Sequence, residues 1–81
     1  MKVQSKGSIF DAYFYDGTVP SIEGIPLEVV AHNLGNKALV VVVDGIEVSI
    51  HPGTWIVVNS EGAPAFYQAD TFEAIFKPVE D

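Results

Sequence analysis

The chain has 81 residues, 11 Asp and Glu against 4 lysines, a formal net charge of −7, no arginine and no cysteine. That length makes one domain, 1–81, and the missing cysteines exclude disulfides and thiolate metal sites. The missing arginines remove the bidentate fork that reads phosphates and base edges, and the charge is opposite to a nucleic-acid footprint, so no direct nucleic-acid binding is expected.

A domain this small buries only about 60–65% of its unfolded surface. Yet 48% of its residues are hydrophobic, an excess that points to a dense β core, to self-association or to a partner. No apolar run follows Met1-Lys2 and none approaches the ~20 residues of a membrane helix. A cytoplasmic protein without membrane contact is expected.

In chain order, "SIFDAYFYDG" (8–17) reads as a long strand. Phe10, Ala12 and Phe14 fall on one face, Ile9, Asp11, Tyr13 and Tyr15 on the other. Aromatic weight on both sides means that the strand is covered twice or offers one face to a partner.

"IPLEVVAHNLG" (25–35) carries Leu27, Val30, Ala31 and Leu34 at i, i+3, i+4, i+7, the stripe of an amphipathic helix. Pro26 suits its first turn and Gly35 its end. His32 falls off the stripe and is expected in solvent.

"KALVVVVDGIEVSI" (37–50) is the strongest local signal. Asp44-Gly45 is a two-residue type I′ hairpin turn. It opposes Val43 with Ile46, Val41 with Val48 and Leu39 with Ile50 on an apolar face. The other face is half polar, with Val42 beside Glu47 and Val40 beside Ser49.

In "HPGTWIVV" (51–58), Pro52 breaks the strand, Gly53 permits a reversal and Thr54-Trp55 restart β structure, so the segment reads as a corner between hairpins. "TWIVVNSEGAPAFYQ" (54–68) is a second hairpin, expected to oppose Trp55 with Phe66 and Val57 with Pro64; Pro64 places its strand at an edge. "DTFE" (70–73) reads as a helical turn with an Asp70–Glu73 capping box. "AIFKP" (74–78) is a last short strand, and Val79-Glu80-Asp81 an expected frayed tail.

These elements predict an α+β domain in the order β-α-β-β-β-β-β. The architecture expected is a strongly bent antiparallel sheet or a partly open barrel of 5–6 strands, with one short helix after the first strand. Phe10, Phe14, Val30, Leu34, Leu39, Val41, Val43, Ile46, Val48 and Ile50 are the expected core.

Catalytic groupings are thin. No Gly-x-Ser-x-Gly elbow occurs, and no serine has an evident activating base; Ser49 and His51 stand two apart with nothing to make them converge. His51, Asp70 and Glu73 lack recognisable metal spacing, and the scattered glycines form no phosphate loop. A non-enzymatic chain with no cofactor and no metal is expected.

The corner Pro52-Gly53-Thr54-Trp55 and the arm from Glu61-Gly62 to Tyr67 add a further indication. So do the ending Asp70, Phe72-Glu73-Ala74, Phe76, Pro78, the run Asp11-Ala12-Tyr13-Phe14 and the pair Leu34-Gly35. Over about 8–80 the chain resembles small phage and prophage proteins of the PGDYG type, with Thr54 standing where that pattern has an acid. The resemblance implies a phage genome, a small β-rich fold and a bacterial host cytoplasm, and no defined activity.

The expected function is therefore a small acidic accessory protein that binds a host or phage protein with a basic surface, as an inhibitor or anti-defence factor. Tyr13, Tyr15 and Trp55 would anchor the partner, and Asp11 and Asp16 would steer it. A homo-oligomeric accessory protein and a small-ligand binder are the alternatives.

Overall fold

A computed structural model describes residues 1–79; Glu80 and Asp81 of the expected tail lie outside the described residues. The strands are β1 (Lys2–Ser5), β2 (Ser8–Tyr15), β3 (Glu28–His32), β4 (Leu39–Val43), β5 (Ile46–Ile50), β6 (Thr54–Val58), β7 (Pro64–Gln68) and β8 (Lys77–Pro78). A 3-10 helix spans Val19–Ile22, and among the described residues one α-helix, α1, spans Ala69–Ile75. The strands form a five-stranded sheet in the order β7-β6-β2-β1-β8 and a three-stranded sheet in the order β3-β4-β5. Every pairing among these strands is antiparallel.

The architecture is thus β-rich with one helix, but the expected single bent sheet or barrel gives way to two separate sheets stacked face to face. The five-stranded sheet is the middle of three layers. On one side Tyr15, Ile56 and Val58 meet Leu39, Val41 and Ile50 of the three-stranded sheet, with Ile22 closing the cluster. On the other, Val3, Ala12 and Val57 are capped by Phe72 and Phe76. Strand β2 is packed against on both faces, one of the two outcomes that its aromatic faces allow.

The helix stands after β7, not after the first strand. The expected helix at 25–35 is β3, paired with β4 and bulged between Val29 and Ala31. Strand β4 sits between two neighbours, and a helix would leave one row of its peptide groups unpaired, which is costly in a sheet this close to the core. The helical stripe is about three turns long, marginal without tertiary support, and the adjacent β-branched Val29 and Val30 favour strand. Consequently Val30 and Leu34 are exposed, Leu34 by 84%. Residues Asn33 to Ala38 form a loop instead, in which Asn33 Oδ1 accepts from the Gly35 and Asn36 amides.

The Asp44-Gly45 hairpin has the expected register, Val43↔Ile46 through Leu39↔Ile50, and Asp44 and Gly45 both adopt positive φ, 51° and 78°. Ile46, expected in the core, is nevertheless exposed at the end of its strand. Val48 packs half-buried against the inter-sheet core. Val48→Ala is expected to cost about 1 kcal/mol, read from chemical denaturation, because the lost methyl groups leave a half-covered site.

The β6–β7 hairpin is one residue out of the expected register: Trp55 opposes Tyr67 and Val58 opposes Pro64. The reason is loop length. Asn59 to Ala63 all belong to the turn, where Asn59 Oδ1 accepts from the Glu61 and Ala63 amides and the Asn59 amide donates to the Ala63 carbonyl.

Strand β1 is an element that the sequence does not announce. It turns into β2 through Lys6-Gly7, at φ 52° and 83°, and a lysine rarely signals positive φ. Helix α1 begins one residue before the expected turn. Its N-cap is Gln68, with no side-chain cap bond, and Asp70 instead accepts from the adjacent Thr71 amide.

The 51–58 segment is a corner, as its Pro-Gly pair predicts. Gly53 has φ 93°, and its amide donates to the Tyr15 carbonyl at 2.7 Å. The corner thereby ties β5 of one sheet and β6 of the other to the end of β2.

Candidate functional site

The five residues expected to bind a partner do not form one surface. Tyr15 is fully buried between the sheets, and its hydroxyl donates to the Lys37 carbonyl. Tyr13 lies on the same face of β2, half-buried against that core. Trp55 points to the opposite face, stacked flat on Phe72 with ring centroids 4.0 Å apart and 3° between planes, and tilted against Phe14. These contacts engage Trp55 in holding α1 to the sheet.

Asp11 pairs with Lys2 at 2.8 Å across β1 and β2. The Asp11 hydrogen bond, and then its charge, raise the Lys2 ammonium pKa. Asp16 sits in the exposed loop after β2, where its Oδ1 accepts from the amide and hydroxyl of Thr18 at 2.9 and 2.6 Å. The Thr18 hydroxyl, then the Thr18 amide, holds the Asp16 carboxyl below its ordinary pKa. Two of these rings pack in the inter-sheet core and one stacks on the helix.

His32 is not free in solvent. It is half-buried, and its Nε2 lies 3.1 Å from the Gly17 carbonyl. Gly17 itself has φ 103°, and a Cβ there would meet Lys37 Cδ at 3.1 Å and Pro52 Cγ at 3.3 Å. Tyr15, Gly17, His32, Lys37 and Pro52 thus form a tight clasp between the sheets. His51, Asp70 and Glu73 do not come together; among the described residues no three His, Asp or Glu side chains cluster as metal ligands would.

The surface that the fold leaves open is the outer face of β3-β4-β5. Alternation sends Leu39, Val41 and Val43 inward and Val40 and Val42 outward. The pairing then writes two rows across the face: Glu28–Val42–Glu47 and Ala31–Val40–Ser49. Glu28, Ala31, Glu47 and Ser49 are exposed and the two valines half-buried, with Val30 47% exposed at the bulge. An apolar centre is flanked by two carboxylates, with Asp44 at the hairpin tip.

No lysine lies in any of the three strands; the four lysines are at 2, 6, 37 and 77. The ion pair found among the described residues, Lys2–Asp11, belongs to the other sheet. The carboxylates here therefore have no cation from their own strands to offset them. Half of the face was legible in the half-polar side of the Asp44-Gly45 hairpin. Glu28 and Ala31 were missed because their strand reads as a helix.

No family model, curated protein or solved structure matches this chain. Among the described residues no helix is long and apolar enough to cross a membrane.

Proposed function

We propose that this chain is a non-catalytic protein-binding module whose working surface is the outer face of β3-β4-β5, and that its partner presents a basic surface. The observation that carries this reading is the row Glu28–Val42–Glu47: two exposed carboxylates around an apolar centre on an uncovered sheet, in strands without a lysine, on a chain of net charge −7. Such a face attracts and orients a cationic partner while the valines supply area to be desolvated. The resemblance to small phage proteins suggests the setting: an accessory protein of the host cytoplasm that inhibits or redirects a host or phage protein.

The test is a charge reversal. The double variant Glu28→Lys, Glu47→Lys is expected to lose at least about ten-fold in affinity for a basic partner captured by the parent chain, since each reversal replaces attraction by repulsion. Glu73→Lys, on α1 at the far side of the molecule, should leave affinity nearly unchanged. Binding of the parent should weaken as salt rises from about 0.05 to 0.5 M. Equal affinity in the face variant and the parent would refute the assignment of the face.

A further inference from the structure

Among the described residues four strands end the two sheets, and three of them carry a device that blocks pairing with another chain. Strand β8 is two residues long and consists of Lys77 and Pro78. Strand β7 opens on Pro64, which has no amide proton. Strand β3 is bulged between Val29 and Ala31. Short length, proline, lysine and bulges are the means by which edges avoid edge-to-edge association. Strand β5, Ile46-Glu47-Val48-Ser49-Ile50, has no proline, lysine or bulge, and Glu47 is its one charged residue.

The direction of its free peptide groups follows from the turn. A two-residue type I′ hairpin closes on a hydrogen-bonded pair, Val43–Ile46, so the peptide groups of Ile46, Val48 and Ile50 face β4. Those of Glu47 and Ser49 face outward along the open edge. Ile46 is 67% exposed although its side chain points to the inner face. At the other end of the strand, Val48, Ile50, Thr54 and Phe66 line a shallow groove between β5 and β7.

We propose that β5 pairs antiparallel with β5 of a second copy, about a two-fold axis through Val48, joining the two three-stranded sheets into one of six strands. This interface shares Glu47 and Ser49 with the face assigned to a basic partner but rests on the open edge of β5, and it would double that acidic face. The register is selected by chemistry. Pairing about Val48 sets Glu47 opposite Ser49 of the second copy, and Ser49 opposite Glu47, as pairs that exchange both backbone hydrogen bonds. Each Ser49 hydroxyl then faces a carboxylate that it can donate to.

The same operation brings each exposed Ile46 against Ile50 of the second copy, at the mouth of the apolar groove. A knob at one end of a strand and a groove at the other are self-complementary under a two-fold axis, as an isologous interface requires. A slip of one residue would set inner-face side chains against outer-face ones. A slip of two in one direction opposes Glu47 with Glu47; in the other it carries Ile46 past the groove to Pro52.

Sedimentation equilibrium of the full chain across concentration tests the interface. A mass rising from 8.7 kDa toward twice that value is expected. Because each copy carries −7, the dimer should tighten as salt is added, the reverse of the behaviour expected for a basic partner. Ser49→Glu places like charges opposite at two symmetric positions and should raise the dissociation constant by about 2- to 30-fold. Ser49→Lys places an ammonium opposite each Glu47 carboxylate and should lower it by a similar factor. Both substitutions are at an exposed position, and a thermal melt followed by Trp55 fluorescence checks that each variant folds.

A monomer mass at all concentrations would overturn the proposal, as would equal effects of the two Ser49 variants. The dimer and the binding face are told apart by Glu28→Lys alone, on β3 at the opposite edge of the sheet from β5: it should weaken a basic partner and leave the dimer's dissociation constant nearly unchanged.

Discussion

Phe72→Ala is expected to lower the unfolding free energy by about 3–5 kcal/mol. For a chain of this length the total is about 4–12 kcal/mol, so the variant should retain little margin or unfold. The reason is that Phe72 joins a continuous aromatic ladder. Its ring stacks on Trp55 at 4.0 Å and on Phe76 at 5.3 Å. Phe76 in turn meets Phe10 and Tyr67 edge-on at 5.4 and 5.3 Å. Helix α1 is only seven residues long, too short to persist without that docking.

Trp55 is the single tryptophan, so the loss can be read directly as a red-shifted emission and a lower urea midpoint. Phe72→Leu should recover most of the loss, because it restores apolar area and gives up only the stacking geometry, about 0.5–1.5 kcal/mol. A native-like midpoint in Phe72→Ala would mean that α1 contributes little to holding the five-stranded sheet.

Tyr15→Ala should cost a comparable amount, about 3–5 kcal/mol, since its ring is fully buried in the inter-sheet core. Tyr15→Phe separates the ring from the hydroxyl. It keeps the apolar contact and leaves the Lys37 carbonyl without the phenol donor, at a cost of about 1–2 kcal/mol. The pH dependence offers a second readout. Burial, and then the charge of Asp16, raises the Tyr15 pKa above its ordinary value. A group whose folded pKa is raised contributes stability that is whole below the unfolded value, near about pH 10, and lost as pH climbs through the folded one. The parent chain should therefore lose stability more steeply above about pH 10 than Tyr15→Phe. Parallel alkaline profiles would show that Tyr15 ionisation is not coupled to unfolding.

The clasp around Tyr15 shows how a ring that suits a binding surface in the sequence can be taken up by the core. In the sequence, Tyr13, Tyr15 and Trp55 are large rings near acids, and such rings suit a binding surface as well as a core. Alternation along β2 correctly separates Phe10, Ala12 and Phe14 from Tyr13 and Tyr15. It does not say that both faces will be covered, because the covering layers come from residues 39–50 and 72–76, remote in the chain.

Short-range chemistry accounts for what was legible. Asp44-Gly45 demands positive φ at two adjacent residues, and that single requirement sets the whole β4–β5 register. Pro52-Gly53 stops one strand and reverses the chain, so the corner could be read without its neighbours. Pro64 marks an edge because it lacks a donor. Composition removes disulfides and thiolate metal sites, and sets the acidic charge from which a cationic partner is expected.

Long-range pairing accounts for the rest. Residues 28–32 satisfy a helical stripe locally, and become a strand because β4 has a second row of peptide groups to pair. With that strand in place, Glu28 joins Val42 and Glu47 in one row, and the open acidic face exists at all. The β6–β7 register is shifted by one residue because Asn59 closes a longer loop through its side chain. Turn residues act over a few bonds and are visible in order along the chain. Which strand sits beside which is decided by backbone groups that must find partners across the fold, and only folding brings those partners within reach.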